Sequence, residues 1–248
     1  MKLALLIGIN YRGTSSQLNG CINDVLAMKK YLLTQGYTED HITVMTEDQS
    51  GEFFPTKDNI VKQIKQLLLE AHHQKATHLW FHYSGHGTYT LDRSGDELDG
   101  RDEMICPLDF QKNGCLSDDQ LHFHFQRLPE KCHCFCLFDC CHSGTILDLR
   151  YRYRGSQEIV ENSQSTLDRD LVMISGCRDD QTSADAYIQG KWSGAMTASF
   201  LACVHSDHTY GQLIEEMRTY LKKNHYTQVP QICSCHSIKM EDPLNFLS

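Results

Sequence analysis

Apolar residues in this chain gather into short unbroken runs, separated by stretches in which they recur at helical spacing. Residues 2–9 (KLALLIGI) are the first run, of the kind a central parallel strand needs when both its faces are covered. After the polar loop NYRGTSSQLNG, the segment from Cys21 to Gln35 places Ile22, Val25, Leu26, Leu32 and Leu33 at roughly helical period, and Gly36 is a natural stop. HITVMT (41–46) is a second strand. Pro55 and Thr56 then introduce a helix whose Ile60, Ile64, Leu67, Leu68 and Ala71 form one stripe, and THLWFHY (77–83) is the third strand. Strand, helix, strand, helix, strand predicts parallel βαβ units with right-handed crossovers, hence an α/β/α sandwich with a mainly parallel central sheet.

The pattern then changes. Residues 88–110 are rich in acids from Asp92 to Glu103, with glycines at 95 and 100, and predict a loop. Ser117 is an N-cap for a short helix over DDQLHFHFQRL, and KCHCFCLF (131–138) is a fourth strand. Residues 150–169 are polar, carry Arg150, Arg152 and Arg154 at alternate positions, and predict a linker. DLVMISGC (170–177) returns to strand character, 193–204 and 209–225 predict helices, and PQICSC (230–235) a last strand. One continuous domain is expected, made of a larger region 1–149, the linker 150–169 and a smaller region 170–248.

Composition narrows the function. Over 248 residues, Lys and Arg total 23 against 32 for Asp and Glu, a formal charge of −9, which argues against nucleic acid as a partner and suits cationic ligands or metal ions. The 12 cysteines follow neither a small secreted scaffold nor paired CxxC spacing, and predict reduced thiols in a cytoplasmic protein. The groups CHC (132–134) and CSCH (233–236) raise zinc as a third reading, but strand alternation sends Cys132, Cys134 and Cys136 to one face without the turn that C-x2-C ligation uses, so they read as small buried hydrophobes. The opening run lacks a signal-cleavage site, and no window reaches the ~20 apolar residues of a membrane span.

Two apolar runs end in reactive side chains. FCLFDCCHSGT (135–145) breaks at Asp139, Cys140, Cys141, His142, Ser143 and Gly144, and LWFHYSGHGT (79–88) breaks at Ser84, Gly85, His86 and Gly87. Ligand crevices of open α/β sheets lie at the carboxyl ends of strands, so neighbouring strands ending this way would set a thiol beside an imidazole. Alternation lets only one of Cys140 and Cys141 face that crevice. Backbone N–H groups around Gly87 and Cys141 are the natural oxyanion donors.

The segments ALLIGINYRGT, GCINDV, YSGHGT, GDELDGRDEMICPLDF, DCCHSGT, SGCRDDQTSADA and YTQVPQ, in this order, resemble a metacaspase, of the caspase-like clan of cysteine peptidases. The resemblance implies a caspase-hemoglobinase fold, with a large subunit-like region followed by a small one. It resembles a type I catalytic core without its N-terminal extension, and active as a monomer. It selects Cys141 as nucleophile and His86, not His142, as its partner. Positions matching the family's specificity pocket are Cys21, Asp24, Ser84 and Asp139, an acidic pocket that would admit Arg or Lys of a protein or peptide substrate at P1. Positions matching its calcium ligands are Asp102, Asp118, Asp119 and Asp148; DRSGDELDGRDE does not have EF-hand spacing. An enzyme preferring Arg would cut its own polar linker, with Arg150, Arg152, Arg154 and Arg169 as candidates. The alternative is a caspase-fold interaction or scaffold protein in which proteolysis is secondary.

Overall fold

Strand β1 (Lys2–Gly8) is buried from Leu3 onward and has parallel neighbours on both edges, which is why its sequence is an unbroken apolar run. The computed structural model describes residues 1–91, 101–155, 157–176, 185–188 and 191–247. In chain order, β1 is followed by α1 (Cys21–Thr34), β2 (Ile42–Thr46), α2 (Lys57–His73) and β3 (His78–Ser84). Next come β4 (Gly87–Leu91), β5 (Arg101–Ile105), α3 (Phe110–Asn113), β6 (Leu116–Ser117), α4 (Asp118–Phe125) and β7 (His133–Asp139). The second part holds β8 (Tyr151–Arg154), β9 (Gln157–Val160), β10 (Leu171–Ser175), β11 (Asp185–Ile188), β12 (Lys191–Gly194), α5 (Ala195–Cys203), α6 (Tyr210–Lys223) and β13 (Gln231–Ser234).

The main sheet has eight strands in the order β2-β1-β3-β7-β10-β13-β8-β9. The first five are mutually parallel, and β13, β8 and β9 extend the sheet antiparallel. Alternation on the strands sorts their side chains into two layers. Leu3, Leu5 and Ile7 with Cys134, Cys136 and Phe138 pack against Ile60, Ile64 and Leu68 of α2 and Leu121 and Phe125 of α4. Ala4, Leu6, Phe135 and Leu137 pack on the other side against Val25 and Met28 of α1, Phe200 of α5 and Leu213 and Met217 of α6. This is the expected α/β/α sandwich with a mainly parallel centre. Cys132, Cys134 and Cys136 share one layer, and burial pushes the Cys134 thiol well above its ordinary value, which keeps it a protonated core side chain.

Three segments differ from the sequence expectations. The stretch expected as an acidic loop carries β4 and β5, paired antiparallel from Gly87↔Ile105 to Leu91↔Arg101, with β6 alongside. Its flanks hold the β-branched and aromatic residues Thr88, Tyr89 and Thr90, which outweigh the acids between them; those at 92–100 lie outside the described residues. The first half of the expected linker 150–169 is built into the sheet as the β8–β9 hairpin, within residues 151–160. Its arginines alternate with tyrosines, and Tyr153 is buried in the core while Arg152 pairs with Glu161 at 2.9 Å. The helix expected from 193 starts at Ala195 because β12 runs to Gly194, paired with β11. Ser117 caps α4 as expected, in a capping box with Gln120.

Candidate active site

Parallel pairing of β3 with β7 ends at Ser84↔Asp139, so His86 and Cys141 stand at matched positions, each two residues past the last pair. The two loops stay in contact beyond the strands. Gly85 N–H donates to Asp139 O at 3.3 Å, and a Cβ on Gly87 would lie 2.0 Å from Cys141 O. No residue other than glycine fits at 87 without moving the nucleophile loop. Cys140 belongs to the apolar layer under the sheet, where burial pushes its thiol well above the ordinary range, whereas Cys141 is buried outside both apolar layers. Of the two cysteines, only Cys140 is packed into an apolar layer. His142 and Asp148 in this loop both have positive φ, 47° and 49°, a conformation that costs non-glycine residues energy and clusters at functional sites. The His142 ring lies 4.7 Å from that of Tyr89, edge-on.

His86 is held through its backbone and its ring. Its N–H donates to the Tyr11 hydroxyl (3.0 Å), and its carbonyl accepts from the Tyr83 hydroxyl (2.8 Å). Tyr11 in turn donates to Cys106 O, and Cys106 N–H donates to Tyr83. The two hydroxyls lie 3.1 Å apart, and Tyr83 also reaches Cys106 O at 3.0 Å, so both phenols belong to one network around Cys106 and His86. Burial raises both hydroxyls well above their ordinary values, so they stay neutral. The Tyr11 ring packs 4.7 Å from the imidazole. His86 Nε2 lies 2.7 Å from Ser16 O, and a carbonyl can only accept, so the neutral ring carries its proton on Nε2 and its lone pair on Nδ1.

The pocket residues converge. Asp24 is fully buried on the first turn of α1 without capping it, and accepts from Ser84 Oγ (2.7 Å), Ser193 Oγ (2.5 Å) and Gly194 N–H (2.9 Å). Asp139 accepts from Thr197 N–H at 2.7 Å. A Cβ on Gly194 would sit 2.2 Å from the Asp139 carboxylate and 2.8 Å from that of Asp24, so both acids line one small space under β12. Burial first, then the charge of Asp139, pushes Asp24 up to about 7, against hydrogen bonds from Ser193, Ser84 and Gly194. Cys21 is buried at the start of the same helix, its carbonyl against Gly8. Ser193 and Gly194 escaped the sequence reading, which placed this segment in a helix.

A second acidic set joins three elements. Asp118, at the start of α4, accepts from the backbone N–H of Glu103 on β5 and from Asp119 N–H at 2.8 Å. Glu103 Oε2 accepts from Thr145 N–H (2.7 Å), and Thr145 O accepts from Asp148 N–H (2.7 Å), which carries the chain of contacts into the nucleophile loop. Glu103, Asp118 and Asp148 are each less than 5% exposed. Asp102 is half-buried on β5, and Asp119 is exposed. Carboxylate oxygens are the donor type that a hard divalent cation such as calcium takes. Glu103 is the ligand-type residue that sequence reasoning passed over.

The arginines of 150–169 do not share one setting. Arg152 and Arg154 lie inside β8, which pairs with β13 on one edge and β9 on the other, so the folded chain does not present those peptide bonds as free extended segments. Arg150 is exposed, and Arg169 donates to Leu128 O at 2.7 Å. Of the segment SGCRDDQTSADA, residues 177–184 lie outside the described residues.

Comparison with known proteins identifies the family. The family model described as "Metacaspase, peptidase C14 domain" matches residues 2–150. "Metacaspase-1" of Debaryomyces hansenii is 38% identical over 95% of this chain and 65% of its own length, and "Metacaspase-3" of Trypanosoma brucei brucei is 37% identical over 96% and 72%. The chain thus spans about two thirds of the length of these relatives. In fold it is similar to the crystal structure of Caspase-1 from Spodoptera frugiperda, with TM-score 0.63 and 16% identity over 94% of this chain and 86% of that one. With paired strand tips, the ordered motifs and more than a third of its residues shared with curated relatives, the chain belongs to the metacaspase family of peptidase C14 domains.

Proposed function

We propose that this chain is a calcium-activated cysteine endopeptidase that cleaves after Arg or Lys. The observation that carries the proposal is the matched run-out of β3 and β7 into His86 and Cys141, beside a buried pair of carboxylates. Cys141 Sγ attacks the scissile carbonyl, and its proton passes to His86 Nδ1, the basic nitrogen left by the Ser16 contact. The Gly87 and Cys141 N–H groups receive the oxyanion. His86 then protonates the leaving amine, and water, deprotonated by His86, hydrolyses the thioester to release the carboxylate product. Asp24 and Asp139 supply negative charge for the P1 head group. Calcium held by Asp102, Asp118, Asp119 and Asp148, with Glu103, would neutralise these acids and tie α4 and β5 to the nucleophile loop. Self-cleavage after Arg150 or Arg169 requires local opening, since Arg150 O accepts from Glu161 N–H (2.9 Å) and Arg169 O from Leu171 N–H (2.9 Å).

The test compares Arg- and Asp-terminated peptide reporters, with and without calcium, across pH. Arg reporters are cleaved and Asp reporters are not; efficient Asp cleavage would remove the acidic-pocket account. With Asp24 raised to about 7 by burial and by the charge of Asp139, Asp24 takes up its own charge as pH rises through that value. The wild-type to Asp24→Asn ratio of kcat/KM for Arg should therefore climb as pH rises through about 7. Stability moves the other way. A folded-state pKa above the unfolded value contributes stability that is lost as pH rises through it, so Asp24→Asn should raise Tm at alkaline pH while lowering activity.

Tyr11→Phe removes the hydroxyl that His86 N–H donates to and one donor to Cys106 O. With each hydrogen bond worth about 1 kcal/mol, kcat should fall about tenfold with KM little changed. Unchanged kcat would show that the tyrosine pair does not position His86.

A further inference from the structure

α5 ends at Cys203, and the chain turns before α6 through a hydrogen bond from His208 N–H to His205 O (3.2 Å). That closure brings the two imidazoles together, with ring centroids 4.9 Å apart. From α6, Glu216 places Oε1 3.5 Å from His208 Nε2. One donor atom from each of the three lies within 4.8 Å of the other two. We propose that His205, His208 and Glu216 form a binding site for a zinc-class transition cation.

Three observations support this. The donors are chemically suitable: two imidazoles and a carboxylate suit zinc, copper or nickel better than calcium or magnesium, and three protein ligands leave a fourth position for water. The framework is fixed, because Leu244 N–H donates to His208 O (3.3 Å), Thr209 bridges to Pro243, and Thr209 and Gln212 form the capping box of α6. On that framework His205 and Glu216 are exposed. Ligands bonded at about 2.0–2.1 Å around a tetrahedral zinc stand about 3.3 Å apart, close to the 3.5 Å between His208 Nε2 and Glu216 Oε1. Finally, the His208 ring is set with Nε2 towards Glu216 (3.5 Å) and Nδ1 buried, and among the described residues Nδ1 has no hydrogen-bond partner.

The cluster is separate from the peptidase machinery. Thr197, near the start of α5, contacts Asp139, and the helix runs on from there to Cys203, about 10 Å, before the turn is reached. The proposal is therefore independent of the catalytic reading. It is tested on the full chain with accessible thiols blocked by iodoacetamide, by calorimetric titration with zinc chloride and by the visible absorption of added cobalt. One equivalent should bind, with tetrahedral cobalt bands, and Tm should rise with zinc. His205→Ala and Glu216→Gln, both at exposed positions, should each weaken binding by at least about tenfold and dim the cobalt bands. Unchanged affinity and stoichiometry in both variants, or no wild-type binding below about 100 µM, would overturn the proposal.

Discussion

Cys141→Ala should lose hydrolysis of Arg reporters by at least about 10⁴-fold and keep its fold, because the residual rate of a hydrolase stripped of its nucleophile comes only from binding and oxyanion contacts. Cys140→Ala is the informative control. Cys140 sits in the apolar layer with Phe138 and Cys136, and burial holds its thiol protonated, so truncation to Ala removes one small buried group. A cost of about 1 kcal/mol in stability is expected, with activity within about threefold of wild type. If Cys140→Ala is the inactive variant while Cys141→Ala turns over, the assignment of the nucleophile is wrong.

The second large effect belongs to the acidic set. Asp118→Asn keeps the shape and an acceptor for Glu103 N–H, but removes one charge from the buried group of Glu103, Asp118 and Asp148. The half-activating calcium concentration should rise at least about tenfold, with the maximum rate recovered at saturation, since a shifted equilibrium is restored by mass action. Asp119→Asn, at an exposed position, should shift it less. Magnesium should activate poorly, because its small rigid octahedron gives up water reluctantly. Full wild-type activity in excess chelator would contradict the calcium account, as would an unchanged calcium response in Asp118→Asn.

What the sequence made legible follows from burial. β1, β3 and β7 are covered on both faces and read as unbroken apolar runs, and their ends at Ser84 and Asp139 pointed directly to His86 and Cys141. β8 and β9 are different. They lie at the sheet edge, where Arg152 can pair with Glu161 while Tyr153 enters the core, so the period-two signal was hidden under a polar composition. The supporting residues of the site were out of reach for another reason. Ser16 and Tyr11 contact His86 across 70 and 75 residues, and Ser193 reaches Asp24 across 169, pairings that only the folded sheet creates. Tyr11 and Tyr83 did lie inside the NYRG and YSGHG segments, and Glu103 sat beside Asp102, but nothing local separated them from their neighbours.

The central claim joins a nucleophile, a basic P1 preference and a cation requirement, and one labelling measurement addresses all three. The chain is incubated with an Arg-terminated chloromethyl ketone in calcium, in chelator, and in parallel with the Asp-terminated analogue, and the modified residue is located by peptide mass mapping. The account predicts a single adduct on Cys141, formed only with the Arg probe and only in calcium. An adduct on Cys140, equal labelling by the Asp probe, or undiminished labelling in chelator would contradict it.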